Sequence, residues 1–160
     1  MGADAGAARL VTWRPELRAD FERLNREWIE RYFAVEEEDR KVFDDPGGTI
    51  VEPGGQVFFL LDGEGVQGTC AVIRHDSETF ELAKMAVAPA ARGRGYGDRL
   101  VEAAAAFARG AGATRLMLVS NTRLGPALNL YRKHGFRDVP LDPGNGYSRA
   151  DIQLELALSP

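Results

Sequence analysis

The sequence predicts an α/β fold of the mixed (α+β) kind: a central mixed, mostly antiparallel sheet of six to seven strands with helices on both faces. Two observations carry this. Three apolar segments, 56–61, 68–75 and 79–87, are joined by short polar connections, DGEG at 62–65 and HDSE at 75–78, as hairpins between antiparallel neighbours need. After them the period changes: 97–109 and 125–134 read as helices, with strands at 115–120 and 150–158 between and after them.

In chain order, residues 1–8 are small and nearly featureless and read as a disordered tail ahead of one domain at 9–160. A short strand at 10–13 precedes Pro15, which opens a helix whose Leu17, Phe21, Leu24, Trp28 and Tyr32 recur at helical spacing. Glu36, Glu37, Glu38 and Asp39 form an acidic run that reads as a solvated helix face. The stretch 44–55, with DDPGG and EPGG, reads as turns. In the last strand Ile152, Leu154, Leu156 and Leu158 alternate with polar or small residues.

Composition narrows the function classes. Hydrophobic residues at 44% and charged residues at 28% fit a globular chain, and no run approaches the roughly 18 apolar residues of a membrane span, so no membrane partner is expected. The net charge is -4 with basic residues spread along the chain, which leaves no footprint for nucleic acid. The start has neither the basic nor the apolar region of a secretory leader, and a cytoplasmic address is expected. The single cysteine, Cys70, lies in an apolar strand and reads as a buried core residue.

The chemistry concentrates in FELAKMAVAPAARGRGYGDRL, a strand, a proline-marked exit, a glycine turn and a helix start. Gly93, Gly95 and Gly97 lack a β-carbon, so the backbone can bend sharply and approach a ligand. The helix that follows leaves its first amides unpaired toward that turn, and Arg92 and Arg94 add positive charge. Together these describe a pyrophosphate site. A P-loop would need Gly, Lys and a hydroxyl residue at the helix start, where Gly97, Asp98 and Arg99 stand instead. A dinucleotide fingerprint needs GxGxxG, and here glycine falls at every second position after a meander.

These residues resemble the GCN5-related N-acetyltransferase (GNAT) superfamily. Arg92, Gly95 and Gly97 match its Arg/Gln-x-x-Gly-x-Gly/Ala motif, and ALNLYRKHGF at 127–136 is similar to its A-x-x-L-Y-x-x-x-G-F segment. The resemblance implies acetyl-CoA as co-substrate, no metal, and transfer of acetyl to a primary amine of a small molecule by direct attack in a ternary complex. It also admits two alternatives, a protein or peptide N-acetyltransferase and a catalytically silent CoA-binding sensor. It implies that Met85, Ala86 and Val87 bind the pantetheine arm through free backbone groups. The turn Arg92, Gly93, Arg94, Gly95, Tyr96 and Gly97 would hold the pyrophosphate. Tyr131 matches the tyrosine beside the thioester sulfur, and as a phenol it keeps its proton to about pH 10. Many members carry Asn where this chain has Leu124, so Asn121 and Asn129 become candidates for cofactor contact.

An alkyl amine is mostly protonated at neutral pH, and a base is needed. Glu81, eleven residues before Arg92, resembles by spacing the glutamate base of the histone-modifying branch; its other reading is a solvated strand charge. Alternation places Glu81 on the side of Ala83, Met85 and Val87, unless a bulge intervenes. Lys84 and His75 are lesser candidates, and His134 reads as a favourable charge at a helix C-terminus. The acceptor pocket is expected from Tyr32, Glu36, Glu37 and Asp39 with Tyr147 and Arg149 opposite. The expected partner is an amine-bearing small molecule, and the chain is expected as a monomer or homodimer.

Overall fold

The computed structural model describes residues 8–158. Among these residues seven strands, β1 (Arg9–Thr12), β2 (Gln56–Asp62), β3 (Gly65–Arg74), β4 (Thr79–Val87), β5 (Arg115–Ser120), β6 (Arg137–Val139) and β7 (Ile152–Ala157), form one sheet in the order β1-β2-β3-β4-β5-β7-β6. Every pairing is antiparallel except β4 with β5. Four helices, α1 (Arg18–Tyr32), α2 (Glu37–Asp44), α3 (Tyr96–Gly110) and α4 (Gly125–Lys133), cover it. The mixed sheet, the meander and the later alternation agree with expectation. The short strand β6 lies in a segment with no strand-length apolar run, and it forms because Arg137 to Val139 meet the end of β7.

The strand VFFLL within β2 shows why both faces are covered. Val57 and Phe59 point into a core under α1 and α2 with Phe21, Ile29, Phe43 and Ile50. Phe58 and Leu60 point into the opposite core with Cys70, Phe80, Leu100, Ala104 and Leu116 under α3. Period-two alternation in an all-apolar strand requires a cover on each side. On α3, Leu100, Ala104 and Ala108 fall on one buried stripe, and the two alanines let the helix lie close to the sheet. Cys70 is buried there, and burial pushes its thiol well above the usual range.

The tail expected over 1–8 lies outside the described residues except at Ala8, which is 5% exposed and whose carbonyl accepts a hydrogen bond from Arg99 at 2.6 Å. The stretch read as turns, 44–55, contains the end of α2 and a π-helical turn, Gly47–Val51, that buries Ile50. The acidic run departs further from expectation. Its last residue, Asp39, is the N3 position of α2 and is fully buried, while Glu36, Glu37 and Glu38 remain outside the core.

Asp39 is buried because cations meet it from two other parts of the chain. Arg149, in the loop before β7, holds both carboxylate oxygens, each at 2.7 Å, and Lys84 of β4 donates to Oδ1. The same carboxylate accepts the Glu36 amide at 2.9 Å, closing a capping box at the start of α2. Burial alone would raise the Asp39 pKa, but the Arg149 hydrogen bonds and Lys84 overcome it and hold the carboxyl well below the usual range. Burial pulls Lys84 below the ordinary lysine value, with Asp39 opposing.

Asp39→Asn leaves two buried cations short of a counter-charge and is expected to cost about 3 kcal/mol at pH 7. Because the folded pKa is depressed, the carboxylate's contribution is complete above the unfolded value of about 3.9 and is lost as pH falls through the folded value. Urea unfolding of both proteins should therefore show the deficit shrinking steadily below about pH 4.

Candidate active site

The parallel pair β4–β5 is joined only at Thr79 with Arg115, Phe80 with Leu116 and Glu81 with Met117. Beyond these, β5 continues against β7 to Ser120, and β4 continues against β3 to Val87. The two strands separate, and among the described residues the facing edge of β4 from Leu82 to Val87 has no strand partner. A cleft of about 520 Å³ opens in the gap.

Within β4 the register against β3 slips: Ala71 opposes Ala83 and Thr69 opposes Ala86, so β4 carries one extra residue there. Lys84 sits at this bulge with φ 53, a left-handed conformation that costs a side-chain-bearing residue about 1–2 kcal/mol. The bulge corrects the simple alternation. Glu81 opposes Ile73 on the α1 side, whereas Met85 and Val87 pack against the α3 core. Lys84 is thereby turned toward α2, where its Nζ meets Asp39 and donates to the Tyr147 hydroxyl at 3.0 Å.

At the far end of β4, a 3-10 turn, Pro89–Ala91, leads into the glycine turn. Gly93 and Gly95 have φ 81 and 79, values open to glycine at little cost. Among the described residues, the backbone amides of 93–98 donate to no protein acceptor, and the first helical bond is Arg99 N–H to the Gly95 carbonyl at 3.2 Å. Gly97 serves packing: a β-carbon there would lie 2.9 Å from Leu130 of α4. This cradle of free amides at the positive end of a 15-residue helix fits a pyrophosphate.

The expected residues divide in this frame. Glu81, Met85, Ala86, Val87, Arg92, Gly93, Gly95, Tyr96, Gly97, Asn121, Tyr131, Tyr32, Tyr147 and Arg149 line the cleft. The Tyr96 ring is buried and its hydroxyl donates to Asp62 at 3.0 Å, which leaves its backbone for the cleft. Arg94 does not line the cleft: its guanidinium lies 3.6 Å from Asp62 and ties the turn to the β2–β3 hairpin. Asn129 is exposed on α4 outside the cleft, because it follows the buried Leu128 onto the outer face of the helix. Glu36 is also outside, accepting from the Ser148 amide at 3.0 Å and pairing with Arg149 at 3.4 Å. Glu37 and Asp39 likewise do not line it.

Asn121 donates to the Arg149 carbonyl at 2.7 Å, which fixes the loop that presents Tyr147 and Arg149. Tyr131 is 8% exposed, and among the described residues its hydroxyl has no hydrogen-bond partner. Burial raises its phenol above the ordinary value, so it holds its proton firmly. Glu81 accepts or shares a hydrogen bond with His75 Nε2 at 2.7 Å. Trp28 and Phe33 also line the cleft, as does Arg123, whose guanidinium lies 5.8 Å from the Phe33 ring. The sequence reading missed Trp28, Phe33 and Arg123. The helical periodicity that placed Trp28 on a buried face was the one available sign for it.

A family model for the acetyltransferase (GNAT) domain matches residues 53–138, which run from β2 through the cleft to β6. The chain belongs to the GNAT acetyltransferase family. Streptothricin acetyltransferase of Streptomyces lavendulae is 32% identical to this GNAT chain over 111 residues, which is 64% of the chain, and the chain spans 59% of that relative's length. An acetyltransferase of the GNAT family from Staphylococcus aureus Mu50 has the same fold, with TM-score 0.87 and 15% identity over 96% of this chain and 100% of its own. A phosphinothricin acetyltransferase from Sinorhizobium meliloti, in complex with acetyl-CoA, aligns at TM-score 0.75 and 17% identity over 95% of this chain and 89% of its own.

Gly95→Ala places a β-carbon at φ 79, a strain of about 1–2 kcal/mol that the turn relieves by moving its amides. Coenzyme A affinity measured by isothermal titration is expected to fall about tenfold, since 1.4 kcal/mol is one decade.

Proposed function

We propose that this GNAT chain moves the acetyl group of acetyl-CoA to a primary amine on a small molecule, by direct attack in a ternary complex. One observation carries the reading. A single cleft joins the unpaired edge of β4, the turn residues Gly93 and Gly95 to Asp98 with their free amides, the protonated Tyr131 phenol and the Glu81 carboxyl. The small-molecule acceptor is supported by the names of the two acetyltransferases that carry one, for streptothricin and phosphinothricin.

Acetyl-CoA, when bound, supplies an activated thioester. In the proposed scheme the amides of 93–98, with Arg92 beside them, bind the pyrophosphate. The backbone of Met85 to Val87 orients the pantetheine arm as an added strand would. Glu81 takes a proton from the ammonium of the acceptor, and Tyr131 holds a proton at its Oη for the departing sulfur. Trp28, Tyr32, Phe33 and Tyr147 enclose the acceptor and exclude water, with Arg149 fixed behind them on Asp39.

Thiol release from acetyl-CoA across a panel of polyamines, amino acids, aminoglycosides and short peptides tests the reading; turnover of peptides alone would overturn the small-molecule acceptor, and binding of coenzyme A with no turnover would overturn the enzyme. Tyr131→Phe is expected to lower kcat about 100-fold with coenzyme A affinity unchanged. Glu81→Gln is expected to slow turnover most at low pH, where the acceptor amine is most fully protonated; an identical pH profile would remove Glu81 from the role.

A further inference from the structure

The reading of Glu81 as a base leaves open where its proton goes. Glu81 lies at the last rung of the β4–β5 pairing, 13% exposed, with the cleft on one side. On its other side is His75, the residue just after β3, which does not line the cleft and whose side chain is 48% exposed. Nε2 of His75 is 2.7 Å from Glu81 Oε1. The His75 amide donates to the Thr79 carbonyl at 3.0 Å, and Asp76 accepts from the Glu78 and Thr79 amides at 2.8 Å. This tight hairpin end fixes the ring against the strand that carries Glu81. The cleft, the carboxyl, the imidazole and bulk water thus lie in series.

Resting on the reading of Glu81 as base, we propose that His75 is the outlet for the proton Glu81 removes from the acceptor. The N–H bond of the ammonium breaks and its proton passes to the Glu81 carboxylate. The resulting O–H proton crosses to Nε2 of a neutral His75 in its Nδ1–H tautomer, forming an imidazolium; the Nδ1 proton leaves to water, and exchange of the remaining ring proton with water restores the Nδ1–H tautomer before the next turnover. Glu81 is a carboxylate again and the ring is neutral. His75 touches no reacting atom; it is a positioning residue that acts through Glu81.

The surrounding charges are compatible with this. Beside His75 stands Asp76 of the same hairpin, which itself feels Arg115 of β5 and Arg74 of β3; around Glu81 stand Lys84 of β4 and Tyr147 of the loop before β7. The Glu81 hydrogen bond raises the His75 pKa above the ordinary imidazole value, against a smaller opposing effect of burial. An imidazole with raised proton affinity is a better acceptor for a proton leaving a carboxylic acid.

The chain has two histidines, His75 and His134, so the ring of His75 can be followed by NMR without ambiguity. In Glu81→Gln its titration midpoint is expected to fall toward the free imidazole value of about 6.5; an unmoved His75 midpoint would overturn the coupling. In His75→Ala, whose thermal melt should match the parent, acetyl-CoA thiol release with the fastest amine of the panel is expected to drop at least tenfold in kcat. The KM for acetyl-CoA is expected to be unchanged, and added imidazole is expected to restore the rate. A wild-type kcat and pH profile in His75→Ala, a loss that imidazole does not restore, or an equal loss in the Glu81→Gln background each overturns the proposal. The two readings fail separately: a fully active Glu81→Gln removes the base itself, whereas a slow Glu81→Gln beside a fast His75→Ala removes only the outlet.

Discussion

The Asp39 carboxylate joins three segments that are distant in sequence. It closes the first turn of α2, takes both guanidinium nitrogens of Arg149 from the loop before β7, and receives the ammonium of Lys84 from the bulge in β4. Each contact alone would be worth little at a surface, where water competes and the side chains lose entropy. Buried together, the groups depend on one another, because a lone charge in that place would face a desolvation penalty without compensation. The consequence is geometric. The helix layer and the loop that wall one side of the cleft are pinned to the strand β4 that lines it.

The same strand performs two tasks that conflict in a regular sheet. It must pair with β3 along its whole length to stay in the sheet, and it must leave its other edge free from Leu82 onward. Separation from β5 frees the edge, and the extra residue at Lys84 reassigns the faces. Met85 and Val87 are returned to the α3 core, while Glu81 and Lys84 stay on the side of α1 and α2. The strain of a lysine at φ 53 is sustained by its ion pair with Asp39 and its hydrogen bond to Tyr147, contacts that a straight strand would not reach.

What could be read in the sequence follows from how each part is encoded. The sheet and the major helices are written in local periodicity, and the glycine turn is written in residues that have a conformational reason to be there. The strand β6 is three residues long and depends on its partner β7, so no local pattern announces it. The burial of Asp39 was equally hidden. In the run Glu36 to Asp39 all four residues look alike, and only the arrival of Arg149, 110 positions away, and Lys84, 45 away, selects the fourth for the interior. Arg92 and Arg94 likewise look equivalent, yet Asp62 draws one of them toward the hairpin and leaves the other beside the cleft.

The two halves of the cleft therefore differ in kind. The half around 93–98 is made of backbone amides whose direction is set by glycine conformation and a helix start, both local properties, so a short motif suffices to specify it. The other half is made of side chains from α1, β4, the segment around Asn121 and Arg123, and the loop with Tyr147 and Arg149, and their arrangement exists only after the chain has folded. The turn and the side chains opposite share no residues and meet only along β4. Glu81 stands at that meeting, where β4 and β5 part. It is the last position of β4 that is paired on both edges and the first that reaches the cleft, so the sheet holds this carboxyl rigidly at the cleft's edge.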